Sequence, residues 1–257
     1  SICYNYLLEF SIQIIEQLTS LEVLNLRGLN NSLFSLDASP LKKLKQLKLT
    51  SSKVEFLKLP QQSNNLQTLT VHNCQDLTNL NLNDCCSLEF VTIQICSQLT
   101  SIPYQLFNIR NLYFLNLSCH SLRFLPDNFG NLSNLQHLIL SDGNFQKLPA
   151  SISTFINLKI LKLLSMNIHE LSPEIGHLES LTYFRMDDCR LIKTLPAQLS
   201  KLVNLTRLDL INCHSLARVP ANLITLPQLT IFQCHYNNLK IIPTHPNTTF
   251  RFFLSSQ

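Results

Sequence analysis

Leucine, or an apolar substitute, recurs in the spacing L-x-x-L-x-L ten times along this 257-residue chain. The motif starts at Leu21, Leu44, Leu66, Leu88, Leu112, Leu135, Leu158, Leu181, Leu205 and Leu229. Successive starts lie 23, 22, 22, 24, 23, 23, 23, 24 and 24 residues apart. A period of this length means one supersecondary unit per repeat, with a core that only neighbouring repeats together can bury. Within each motif the side chains alternate as on a short strand. The first, fourth and sixth positions enter the core, and the third, fifth and seventh point out of the opposite face.

The ninth position falls where the chain turns out of the strand. It reads Leu29, Ser52, Cys74, Cys96, His120, Gly143, Met166, Cys189, Cys213 and Asn237. Four cysteines at one register position are expected as small buried thiols rather than reactive groups or metal ligands. Leu29, Gly143 and Met166 cannot make a polar side-chain bond there, so the ladder should be interrupted. Beyond it, apolar residues recur at +4, +7 and +10 from an anchor, as in Leu125, Phe129, Leu132 and Leu135. Leu148, Leu171, Leu195, Val219 and Ile102 anchor similar arms, and Pro103, Pro126, Pro149, Pro196 and Pro220 directly follow an anchor. Proline suits the start of a helical turn, where its missing N–H is not needed. These arms therefore predict one or two short helical turns each. Leu77, Leu80, Leu82, Cys85 and Leu88 suggest instead an extended arm with a short strand and a buried Cys85. Repeats two to four are expected to be less helical outside the strands than repeats five to nine.

This pattern resembles the leucine-rich repeat family over about residues 21–243, and within it the 23-residue intracellular type. Similar repeats occur in plant immune receptors, Ras-associated scaffolds and effectors of intracellular bacterial pathogens. The resemblance implies an α/β fold: a right-handed horseshoe of about ten repeats, with parallel strands on the concave face and short helices or 3-10 turns on the convex one. Residues 1–20 are expected to form an N-terminal cap or the remnant of a preceding repeat. Residues 244–257, with Phe250, Phe252 and Phe253, are expected to cap the other end as a strand-like segment.

Composition narrows the function. The net charge is +4 and no run of Lys or Arg occurs, so nucleic-acid binding, which needs a concentrated basic patch, is not expected. No apolar stretch is long enough to span a membrane, and residues 1–20 do not read as a secretory signal. Nine cysteines, an odd number with no C-x-x-C, fit neither a disulfide framework nor a zinc site. The eight histidines make no Ser-His-Asp or Cys-His constellation, Asp187-Asp188 reads as solvated, and no phosphate-binding glycine loop is present. No enzyme activity, cofactor or metal is expected, and the chain is expected to be a monomer.

What remains is a surface. Along the outward columns, Phe90, Phe114, His137, Ile139, Ile160, Leu164, Tyr183 and Ile211 should form an apolar stripe edged by Lys162, Arg185 and Arg207. Aromatic anchors beside arginine are the composition of interface hot spots. β-branched and aromatic residues also simply suit exposed strands, so the stripe is one of two readings of the same residues. The expected function is binding of a protein partner on the concave face, with a cytoplasmic location, or a host cytosol if the protein is a bacterial effector. Two alternatives stand beside it. One is a spacer or substrate-recognition part of a larger immune receptor or enzyme. The other is an extracellular recognition domain, which sequons at Asn30, Asn116, Asn131, Asn204 and Asn247 permit and the free cysteines oppose.

Overall fold

The computed structural model describes residues 12–30, 32–60, 65–101, 103–118, 124–240 and 251–253. His120, Cys3, Cys119, Ile102, Phe250 and Asn247 lie outside them, as does most of the expected N-terminal cap. The chain divides into two compact units, Ser1–Leu122 and Arg123–Gln257.

The first unit opens with a short helix, α1 (Ile12–Gln17). It continues with β1 (Val23–Arg27), β2 (Phe34–Asp37), β3 (Gln46–Thr50), β4 (Val54–Lys58), β5 (Thr68–His72), β6 (Asn79–Leu80), β7 (Phe90–Gln94) and β8 (Phe114–Ser118). Strands β1, β3, β5, β7 and β8 pair in parallel, each motif position against the same position of the next repeat. A second parallel sheet, β2-β4-β6, is built from the return arms of the first three repeats. These arms run instead as short strands whose side chains alternate, as in Phe34-Ser35-Leu36-Asp37, where Leu36 is buried and Ser35 exposed. The expected short strand is β6, and Cys85 is buried as expected. The boundary of the helical arms differs from expectation by one repeat. Repeat four, which carries Pro103, already forms a 3-10 turn at Tyr104–Asn108, while repeat one returns as a strand.

The second unit holds β9 (His137–Ser141), β10 (Ile160–Leu164), β11 (Tyr183–Asp187), β12 (Arg207–Ile211), β13 (Ile231–Gln233) and β14 (Arg251–Phe253). They pair in parallel in that order, again position to position. Five described return arms here each form a five-residue 3-10 helix: Asp127–Asn131, Ala150–Thr154, Pro173–His177, Ala197–Lys201 and Ala221–Thr225. The apolar spacing explains the choice of helix. Phe129 is the buried residue of its 3-10 turn, and Leu132 and Leu135, at further steps of three, continue the buried row as the chain leaves the turn; all three are fully buried. In four of these five arms the carbonyl of the preceding proline accepts the first bond, as in Phe129 N–H to Pro126 O at 2.9 Å and Leu199 N–H to Pro196 O at 3.2 Å; in the arm that starts at Pro173 it is the Ser172 carbonyl, at 3.1 Å from Ile175 N.

Fourth and sixth positions are buried throughout, and each such side chain contributes about 1.5–3 kcal/mol through burial. Two further ladders tie repeats together. The residue before the motif is Asn in several repeats, and its Nδ2 donates to a main-chain carbonyl of the preceding repeat. Asn65 bonds Lys42 O at 2.9 Å, Asn157 bonds Ser133 O at 3.0 Å and Asn204 bonds Glu179 O at 2.8 Å. At the eighth position every described residue has a positive φ, from Ser51 at 49° to Gly28 at 75°. That twist points the eighth N–H at the seventh-position carbonyl of the following repeat, as in Ser51 to His72 O at 2.9 Å and Asp188 to Ile211 O at 3.0 Å.

Candidate functional site

The turn that leaves each strand sets the floor of the site. Ninth-position side chains bond back to the strand carbonyls, as with Cys96 Sγ to Gln94 O at 3.4 Å and Cys213 Sγ to Ile211 O at 3.3 Å. They also receive the ninth N–H of the repeat before: Leu29 N–H to Ser52 Oγ at 3.3 Å, and Cys213 N–H to Asn237 Oδ1 at 2.8 Å. Burial pushes the Cys85 and Cys96 thiols up to about 12. Cys189 is pushed up by its hydrogen bond with Cys213 and then by burial. These cysteines are structural thiols. The Cys189 sulfur also receives the backbone N–H of Met166 in the repeat before, whereas the Met166 side chain makes no bond of this kind among those described. Among the described residues no three His, Cys, Asp or Glu side chains converge as a metal site requires, and no helix is long and apolar enough to cross a membrane.

In the first unit, the outward residues of β7 and β8 include two of the expected anchors. Phe90 is 40% exposed and Phe114 half-buried. Their rings lie 6.2 Å apart, and Tyr113 stands 5.7 Å from Phe90. The remaining expected residues lie in the second unit, all half-buried: His137 and Ile139 on β9, Ile160, Lys162 and Leu164 on β10, Tyr183 and Arg185 on β11, Arg207 and Ile211 on β12. Register places Ile160 between His137 and Tyr183, Lys162 between Ile139 and Arg185, and Leu164 between Ser141 and Asp187. Arg207 lies beside Tyr183, and Ile211 beside Asp187.

The face is more polar than expected around β11 and β12. Asp209, at an outward fifth position, is fully buried. This corrects the expectation that the fifth column faces solvent throughout. Residues two apart on a strand share a face, so Arg207 folds back on Asp209, with Nε 3.0 Å from each carboxylate oxygen and Nη2 2.9 Å from Oδ2. Tyr183 Oη donates to the same Oδ2 at 2.8 Å, and Arg185 Nη1 lies 3.9 Å from it. A buried carboxylate without donors would be costly; this one is met by several. Arg185 in turn pairs with Asp187, which also accepts from Asn212 Nδ2 at 3.1 Å. Asp188 pairs with Arg190 at 2.6 Å, so the Asp187-Asp188 pair is not merely solvated.

Electrostatics follow from this geometry. The hydrogen bond to Asp209 holds the Arg207 guanidinium above its usual pKa. Burial, then the bond to Asp209, raises the Tyr183 phenol. The Tyr183 ring carries Arg207 5.0 Å and Lys162 5.4 Å from its centroid, within reach of a cation–π attraction. Tyr183 is thus a fixed side chain, oriented by Asp209, rather than a free anchor. Sequence reasoning missed Asp209, although the repeated spacing Arg185-x-Asp187 and Arg207-x-Asp209 is the signal that finds it. Away from the strands, an open groove of about 720 Å³ is lined by Phe124, Phe145, Asp127, Lys147, His169 and Glu170, among others. Its mixed charges favour no particular ligand.

Several solved structures share this architecture. The leucine-rich repeat domain of the type III effector XopL is similar with a TM-score of 0.71 and 22% identity, over 95% of this chain and 79% of that one. An internalin, InlF, from Listeria monocytogenes is similar with a TM-score of 0.52 and 16% identity, over 89% of this chain and 81% of that one. No protein-family model matches the sequence, and no curated protein matches it. At these identities the likeness shows the fold, which is that of leucine-rich repeat proteins.

Proposed function

We propose that this leucine-rich repeat chain is a protein-interaction module that binds a protein partner on its outward strand columns, by binding rather than catalysis. One observation carries the reading: Ile139, Ile160 and Leu164 stand half-exposed on adjacent strands, beside a Tyr183 and two arginines already locked in place. Side chains held by their own ion pairs lose little freedom on binding, which is what makes an interface anchor effective. The likeness to a type III effector domain supports an effector acting on a protein of another cell. The buried thiols at the ninth positions and Cys85 support a reducing compartment. Two sequons also fit an unglycosylated protein: the Asn204 amide is engaged with Glu179 O, and Asn116 sits within β8 accepting from Gln94.

The test replaces Ile139, Ile160 and Leu164 together by Ala, and separately Phe90 and Phe114. Tyr183 is left intact, because its loss would strip a bond from buried Asp209. We expect proteins cross-linked by the wild-type chain in a cell extract to be lost with the first variant, while its melting temperature falls by no more than about 3 °C. Unchanged capture by both variants would place the binding surface elsewhere.

A further inference from the structure

On β9 and β10, apolar surface and unbalanced charge stand side by side. Arg185 is paired with Asp187 and Arg207 with Asp209. Lys162 has no carboxylate partner among the described residues; its ammonium rests 5.4 Å from the Tyr183 ring centroid, which attracts it without neutralising it. Lys159, at the second position of the same repeat, is exposed. Burial, then the neighbouring Lys159 and Lys162, hold the His137 imidazole below its usual pKa. Register sets Lys162 directly beside Ile139, with Ile160 and Leu164 two residues away on the same face of its own strand.

We propose that this patch receives an acidic segment of the partner protein, one carboxylate on Lys162 and an aliphatic side chain against Ile139, Ile160 and Leu164. The proposal rests on the binding reading above and names its chemistry. Charge complementarity carries it: of Lys162, Arg185 and Arg207, the one without a carboxylate partner stands beside apolar side chains, where a desolvated pair discriminates most strongly. A nucleic-acid backbone fits the patch less well. It requires a row of cations, and here Asp187 and Asp209 share the face, while Tyr183, flanked by two cations, offers no free stacking platform.

Random peptides displayed on phage, selected against the whole chain, test this. The expected winners combine Asp or Glu with aliphatic residues. A synthetic winner should lose affinity about tenfold or more with Lys162→Glu and less with Lys162→Gln, and binding should weaken with salt. Winners without acidic enrichment that the Ile139/Ile160/Leu164 alanine variant still abolishes would leave the binding face standing and overturn the acidic occupant. Winners indifferent to all these substitutions would overturn both. Poly(U) RNA that binds the chain and is released by Lys162→Glu, with no acidic bias among the peptides, would overturn the proposal in favour of nucleic acid.

Discussion

Ile95 sits at the eighth position of its repeat with φ at 55°, a conformation that a β-branched side chain adopts only under strain. Its side chain is 39% exposed, so the core gains little from it, and its N–H bonds Ser118 O at 2.9 Å. Asn tolerates the left-handed region and already occupies the same position at Asn73 and Asn212. Ile95→Asn should therefore stabilise the protein by about 1 kcal/mol, read as a rise in the denaturation midpoint; a fall would show that the Ile95 side chain is needed for packing. The scarcity of glycine hints that such turns use other residues, but Ile95 gives no hint of its own, since nothing in an isoleucine signals positive φ. Asp209 was hidden for a related reason. Strand alternation assigns the direction of a side chain, whereas its burial depends on what Tyr183 and Arg207 from neighbouring positions lay over it. The cysteines were legible because register alone decides that a ninth-position side chain turns inward.

Among elements, the 3-10 helices of the second unit stack with little room between them. A Cβ added at Gly176 would stand 2.7 Å from the Gln198 carbonyl oxygen and 2.9 Å from Gln198 Cβ. Backbone cannot swing aside as a side-chain tip can, so Gly176→Ala should cost about 2 kcal/mol. Equilibrium urea unfolding would measure it, and an unchanged midpoint would mean the neighbouring turn yields freely. These helices were readable from an anchor, a proline and apolar steps of three. Their first appearance in repeat four was also written in Pro103, a stronger signal than position in the chain. The asparagine ladder of Asn65, Asn111, Asn157 and Asn204 went unread, because a polar residue before a strand looks like any solvated loop.

For the molecule as a whole, thiol chemistry reports at once on the core layers of repeats three, four, eight, nine and ten. Cys86 is exposed, while Cys74, Cys85, Cys96, Cys189, Cys213 and Cys234 are buried. Native protein treated with a thiol reagent should label Cys86 rapidly and these six only on unfolding, with sites assigned by peptide mass mapping. Rapid labelling of Cys189 or Cys213 in native protein would contradict the ladder. The repeat architecture was legible at this scale because ten motifs supply the same evidence repeatedly. The outward stripe was legible only residue by residue, since the chemistry of a surface depends on which neighbours neutralise one another.

The unshifted register has a further consequence for anything that lies across the strands of one unit. Residues at one position recur along a column about every 4.8 Å, the spacing of neighbouring strands. An extended ligand shows same-face side chains about every 6.6 Å and falls out of step by nearly 2 Å per strand. An α-helix rises about 5.4 Å per turn and drifts by only about 0.6 Å per strand. Laid at right angles across β9 to β12, a helix would meet successive repeats nearly turn for turn, as two rulers with almost equal divisions stay aligned over a short length.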